Sequence, residues 1–475
     1  MIDFRLLLAV TAGKSAGIAS RISRRGGGTT MPGVIARRID PGALRKLVAT
    51  LPQGVALVSG TNGKTTTTRM IAAMLAADGR APLHNRAGAN LVSGITATAL
   101  DGASLAGRSQ ARIGLFETDE AAFPAIAAET GPRLVLLHNL FRDQLDRYGE
   151  VDTIAAGWRT ALAHLPATTT VLLNADDPAV AALGAGLDAR VCYYGLEDVR
   201  HAAGAAAQIG DARFCRACGA PYRYTALFYA HVGHYVCDTC GQARPAAAYR
   251  LERLDLHGAD AATLCLTYPG GALELRLPLP GLYNAINALA AIAACLELGV
   301  PAPRIRATLE RFGAAFGRIE RVDAGGRPLL VALIKNPVGA SETVRMLTET
   351  LNVERDTLNV AYGTGLHLLI MINDRYADGT DVSWLWDAEF ERLGGRVAQV
   401  VVGGTRAADM AVRLKYAGVA VERIIVADDP ARALDTALVH LPEGTTLYAL
   451  PTYTALLDLR AELARRGWVR PFWED

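Results

Sequence analysis

From residue 55 onward, short apolar runs at 55–58, 134–137 and 171–173 alternate with Ala/Leu-rich stretches of helical spacing. Strand-length runs with no polar alternation, joined by helical segments, predict a buried parallel sheet with crossover helices. The pattern breaks between about 202 and 248, where Cys, Tyr, Gly and His crowd together in what reads as an inserted module. It resumes with an Ala-rich helix after Gly281. Glycines and a charged strand at 313–318 then predict a domain boundary. Beyond it, strand-like runs at 329–334, 358–362, 366–372, 398–402, 423–426 and 446–450 predict a second, Rossmann-like α/β domain. The expected division is an N-terminal segment over 1–54, a central domain over 55–318 and a C-terminal domain over 319–475. No fixed-period repeat is visible.

A chain of 475 residues that is 51% hydrophobic has enough apolar material for more than one core. Its 49 Lys+Arg against 47 Asp+Glu leave a net charge of +2, too little to hold a polynucleotide by phosphate neutralisation. The apolar run at 4–10 is too brief to span a bilayer and has no signal-cleavage pattern, so a cytoplasmic location is expected. Arg5, Lys14, Arg21, Arg24 and Arg25 surround that run. They leave open contact with an anionic membrane surface, against the simpler reading of a solvated leading helix.

The strand predicted at 55–59 leads into Gly60-Thr61-Asn62-Gly63-Lys64-Thr65-Thr66 and then a helix to about residue 77. Small residues let backbone N–H groups close around phosphate, and a helix N-terminus adds partial positive charge. Lys64 is placed to pair with β/γ-phosphates and Thr65 to hold Mg²⁺, which makes ATP the expected cofactor. The general phosphate-loop pattern would put its first glycine at Val58, so this is a shorter form.

Seven cysteines without a secretory signal argue for metal rather than disulfides. Cys215-x-x-Cys218 and Cys237-x-x-Cys240, each followed by glycine (Gly219 and Gly241), read as a four-thiolate zinc ribbon. Four thiolates close the coordination sphere, so this Zn²⁺ is expected to be structural. His231 and His234, between the pairs, are taken as ordinary surface residues, and Cys192, Cys265 and Cys295 as structural thiols. After the strand expected at 366–372, carboxylates crowd residues 374–387 beside Trp384 and Trp386. That density at a strand's carboxyl end suits a binding crevice or an interface.

The Gly-Thr-Asn-Gly-Lys-Thr loop resembles the ATP loop of the Mur ligase superfamily, which includes peptidoglycan amino-acid ligases and folylpolyglutamate synthases. Further pieces follow in that family's order. Glu117 resembles the glutamate that binds the catalytic Mg²⁺. His138-Asn139-Leu140 and the 143–149 block resemble the next motif, and Asn174, Asn284 and Arg318 resemble nucleotide-contacting positions. The resemblance therefore implies a central ATPase domain carrying the zinc insert, with the C-terminal domain behind it.

Departures from the common pattern narrow the reading. Only about 55 residues precede the loop, Gln144 stands where many relatives have a metal-binding histidine, and no lysine lies between Lys64 and Lys335 to be carbamylated. With these features, the cysteine insert, Lys335-Asn336-Pro337 and the Asp-rich segment, the chain resembles nearly end to end the MurT family, the Mur-ligase-like subunits of lipid II isoglutaminyl synthase. That resemblance implies a GatD-like glutaminase partner, lipid II as substrate, and amidation of the α-carboxyl of D-glutamate through an acyl phosphate. A carboxylate of this chain would complete the partner's Cys–His pair, with Asp378 first choice because Gly379 lets the turn present it outward, and Asp374 and Asp381 as alternatives. The rivals are a folylpolyglutamate-synthase-like ligase and a zinc-bearing scaffold with a vestigial nucleotide site.

Overall fold

The computed structural model describes residues 3–22, 30–85, 89–142, 151–202, 211–313, 318–358 and 365–470. Strands β1 (Val55–Ser59), β2 (Leu83–His84), β3 (Gly114–Glu117), β4 (Leu134–Leu137), β5 (Thr170–Asn174) and β6 (Arg190–Leu196) run in the first part of the chain. A separate hairpin, β7 (Arg223–Tyr229) and β8 (Val232–Val236), follows. Then β9 (Tyr249–His257), β10 (Ala261–Tyr268) and β11 (Gly271–Leu277) complete a nine-stranded sheet of order β11-β10-β9-β6-β5-β4-β1-β3-β2. Its seven strands from β2 to β9 are paired in parallel, and β10 and β11 fold back antiparallel at the edge.

Both faces of this sheet are covered, which is why its strands lack polar alternation. On one face lies the Ala-rich helix Leu282–Glu297, buried along nearly its whole length, because alanine lets a helix approach a sheet closely. It packs there beside the helix Lys64–Ala77. On the other face sit Phe4–Ile22, Met31–Ile39 and Ala43–Val48, which share one core with Leu57, Val135, Phe123 and Trp158. The leading helix buries Leu6, Ala9 and Val10 and leaves Phe4, Leu8 and Ile18 exposed. No helix among the described residues is long and apolar enough to cross a membrane. Arg21, Arg24 and Arg25, singled out above, have side chains outside the described residues.

The second sheet joins β12 (Arg318–Asp323), β13 (Pro328–Ala332), β14 (Leu366–Met371), β15 (Val397–Gly403), β16 (Ile424–Val426) and β17 (Leu447–Pro451) in the order β12-β13-β17-β14-β15-β16. All its pairings but β12–β13 are parallel, with an apolar core on each face. The apolar positions near 358 are not a strand where described. Leu358 ends the helix Pro337–Leu358, and 359–364 fall outside the described residues.

Candidate active site

The loop after β1 is held by β4's exit. Thr61 N–H donates to the Asn139 carbonyl (2.9 Å), and Asn62 N–H donates to the Asn139 side-chain oxygen (2.8 Å). The Thr61 hydroxyl takes the Phe141 N–H (3.0 Å). Gly63 has φ +88 where the helix Lys64–Ala77 begins, and a Cβ there would collide with Asn287 Oδ1. Gly60, at φ +141, would place a Cβ 2.7 Å from the His138 Cβ. Both glycines are therefore demanded by backbone conformation and by space.

Lys64 lies over this loop, donating to the carbonyls of Gly60 and Thr61 and pairing with Glu120 Oε1 at 3.0 Å. Glu120 went unnoticed in the sequence because it lies three residues beyond the motif-bearing Glu117. Glu117 ends β3 in register with Val58 of β1, one strand from the loop. It is buried, with its backbone fastened on both sides by the Asn85 amide. Thr65 is half-buried and Thr66 buried on the first helical turn. Behind the loop, burial and the Lys64 charge hold His138 neutral down to a pKa of about 3. Its Nδ1 faces the Tyr194 hydroxyl at 3.1 Å and its Nε2 is buried without a hydrogen bond.

The loop opens onto a cleft between the two sheets, lined by Asn62, Gly63 and Asn284 on one side and by Lys335, Gly339 and Glu342 on the other. Asn336 crosses it, donating to Asn62 Oδ1 at 3.0 Å. Asn284 donates to the Pro280 carbonyl (2.7 Å) at the start of its helix. Asn174, in contrast, is fully buried at the end of β5 and is not among the cleft-lining residues. Its Oδ1 accepts from Asp176 N–H (3.0 Å) and its Nδ2 has no partner. Arg318 opens β12 in the second sheet, and its side chain lies outside the described residues. So do Gln144 and the rest of the 143–149 block.

The four expected thiolates come together, with the sulfurs of Cys215, Cys218, Cys237 and Cys240 all within 4.8 Å of one another. A tetrahedral zinc with bonds of ~2.3 Å places its sulfurs ~3.8 Å apart, so the donor set fits that ion. Each pair sits in a tight knuckle. Gly219 N–H returns to the Cys215 carbonyl (2.8 Å) and Gly241 N–H to that of Cys237 (2.9 Å), both glycines being left-handed. Burial opposes ionisation of Cys215, but the N–H groups of Ala217 and Cys218 outweigh it and bring the thiol down to about 6.

The histidines between the pairs are not surface residues, as the sequence reading had them. His231 is fully buried, with Nε2 3.2 Å from Asp177, and half-buried His234 bonds the Leu196 carbonyl at 2.7 Å. They fasten the β7–β8 hairpin to the central sheet rather than approach the sulfurs. Of the remaining thiols, Cys295 is buried, while Cys192 and Cys265 are only partly so.

In the Asp-rich segment, Asp378 points inward. It is buried and accepts from Thr454 N–H (2.7 Å) and the Thr454 hydroxyl (2.5 Å), serving the first turn of the helix Tyr453–Arg465. Gly379, at φ +85, turns the chain as expected but directs that carboxylate to the helix rather than to solvent. Asp374 is half-exposed and accepts from the Thr405 hydroxyl (2.8 Å), and exposed Asp381 accepts from Ser383 N–H (2.8 Å).

The Mur ligase middle domain matches residues 58–217 and the MurT ligase C-terminal domain residues 333–456. The MurT subunit of lipid II isoglutaminyl synthase (glutamine-hydrolyzing) from Streptococcus pneumoniae is 32% identical over 99% of both chains. Its namesake from Staphylococcus aureus strain N315 is 34% identical over 96% of this chain and 98% of that one. This chain belongs to the MurT family. Among solved structures, a pseudomurein peptide ligase type C from Methanothermus fervidus matches with a TM-score of 0.63 at 18% identity, covering 88% of this chain and 79% of that one. At that identity the likeness speaks for the fold alone, an α/β Mur ligase architecture with a C-terminal domain. Within the MurT family the chain is a ligase of the Mur type.

Proposed function

We propose that this chain is the ligase subunit of an ATP-driven amidation that converts the α-carboxyl of D-glutamate in the lipid II stem peptide to the amide. The observation that carries this reading is end-to-end identity of 32–34% with subunits of that name, joined to an intact phosphate loop facing an interdomain cleft.

Division of labour follows from the cleft. The loop N–H groups and the helix N-terminus at Lys64 suit the ATP phosphates, and the Lys64 ammonium neutralises charge on the transferred phosphoryl. Thr65 and Glu117 would hold Mg²⁺, which supplies further charge neutralisation when bound. Asn284 belongs to the nucleotide side, and Arg318 is assigned a nucleotide contact from the family resemblance alone; the burial of Asn174 favours a supporting role over direct contact. A carboxylate attacking the γ-phosphorus becomes an acyl phosphate, and ammonia then displaces phosphate from carbon.

The segment 319–475 would face a GatD-like glutaminase, which releases that ammonia from glutamine. With Asp378 turned inward, Asp374 and Asp381 become the better placed carboxylates to orient the partner's histidine. A structural Zn²⁺ at the four cysteines would brace the hairpin that brings Tyr229 to the cleft. Exposed Phe4, Leu8 and Ile18, with Arg5 and Lys14 on the same helix, suit peripheral contact at the inner membrane face, where a lipid-linked substrate resides.

The test is reconstitution with the glutaminase, lipid II, ATP and glutamine. The expected product is amidated lipid II with one ADP per amide; ligation of an added amino acid instead of ammonia overturns the reading in favour of a folylpolyglutamate-synthase-like ligase.

A further inference from the structure

The motifs leave one charged group in the cleft without a function. Glu342, on the second turn of the helix Pro337–Leu358, is buried and lines the same cleft as Asn62 and Gly63. Around it stand Lys335, Tyr283 and Tyr229, the last delivered by the cysteine-bearing hairpin. On its own helix Arg345 lies 3.1 Å away, and that guanidinium also donates to the Phe228 carbonyl (2.8 Å) and pairs with Glu349 (3.6 Å). Glu389 and Arg392, at the turn Phe390–Leu393 packed against the helix, complete the charges that reach it.

Amidation leaves a proton to be placed. As ammonia's nitrogen bonds to the acyl carbon, the bond from that carbon to the phosphate oxygen breaks and phosphate departs with the electron pair. The nitrogen, then cationic, must lose one proton to become the neutral amide. A carboxylate in the cleft would hold neutral ammonia by accepting one of its N–H groups and then take this single proton.

We propose that Glu342 is the group that receives ammonia in the cleft and accepts the proton it loses on attacking the acyl phosphate. This rests on the amidation reading above. Burial pushes the Glu342 carboxyl up to about 7, with Arg345 opposing, so the group changes charge near neutral pH, the range where a general base is most useful. Its base form accumulates as pH rises through about 7.

The experiment uses the chain complexed with its glutaminase, lipid II and ATP, with ammonium chloride replacing glutamine. Parent protein that makes no amide from ammonium overturns the amidation reading itself. If the parent is active, and rates are referred to the concentration of free ammonia at each pH, Glu342→Gln is expected to lower kcat by at least about tenfold, raise KM for ammonia and remove the acidic limb that remains in the parent's profile. ATP affinity and glutamine hydrolysis by the partner should be unchanged. Arg345→Gln, which removes the cation that favours ionised Glu342, should move that limb to higher pH. Parental rates in Glu342→Gln, or an unmoved limb in Arg345→Gln, overturn the proposal.

Discussion

The Lys64 ammonium lies 3.0 Å from the Glu120 carboxylate, both side chains being about nine-tenths buried. If Lys64 meets a polyphosphate as proposed, this pair must yield and Glu120 would compete with the nucleotide. Lys64→Ala is expected to lower amidation by at least ~100-fold, because it removes charge at the reacting phosphoryl, and to lower the melting temperature as well, because it takes the buried cation away from Glu120. Glu120→Gln should tighten ATP binding by roughly threefold to tenfold, the value of a modest ion pair. An amidation assay and a thermal melt read the first and ATP titration calorimetry the second, where weaker binding by Glu120→Gln would show that the carboxylate helps rather than competes.

Gly63→Ala is predicted to abolish nucleotide binding. Alanine at φ +88 is strained, and its Cβ would enter the space of Asn287 Oδ1, which tilts the first helical turn away from the phosphate position. Retention of parental ATP affinity in this variant would remove the loop from the site.

One zinc per chain is expected by elemental analysis, lost in the Cys215→Ser/Cys240→Ser double variant. Because the hairpin also carries Tyr229 and the Phe228 carbonyl that anchors Arg345, amidation should fall with the metal although no cysteine lines the cleft. Full activity in the zinc-free variant would separate the ribbon from the site.

The aspartates at 374, 378 and 381 divide by burial. Asp378→Ala should cost about 1–3 kcal/mol of stability, since it removes charge-assisted bonds at the start of the helix Tyr453–Arg465. Asp374→Asn and Asp381→Asn should leave stability within about 0.5 kcal/mol, and at least one should slow glutamine hydrolysis by the reconstituted pair. Parental hydrolysis in both clears the segment of a catalytic part.

His138 makes stability depend on pH. Its folded pKa, about 3, lies below the ordinary 6.5 because burial and Lys64 oppose the cation. The unfolded chain therefore gains a proton as pH drops below 6.5 while the folded chain does not, and stability falls over that window. The loss is about 2 kcal/mol at pH 5. Denaturant titrations at pH 7.5 and pH 5 should show His138→Gln losing less than the parent by that amount.

The apolar runs at 55–58, 134–137 and 171–173 each became a parallel strand, because a buried central strand must be apolar on both faces whatever surrounds it. The strand–loop–helix around 60–65 and the convergence of the two cysteine pairs were equally readable, since each depends on residues close in sequence whose spacing carries the geometry. At position 358 an apolar residue read as a strand start instead ends the helix Pro337–Leu358, because a short apolar stretch fits either element; 359–362 lie outside the described residues. The sequence likewise determined that the 374–387 segment is rich in carboxylates. Which of them faces solvent was decided by Thr454, 76 residues away, whose helix start takes Asp378 inward. Glu120 reaches Lys64, and Glu342 joins the cleft with its burial and raised pKa, only because separate elements converge there. Local spacing encodes loops and knuckles; burial and long-range proximity, which set the charge state of such groups, exist only once the sheets have packed.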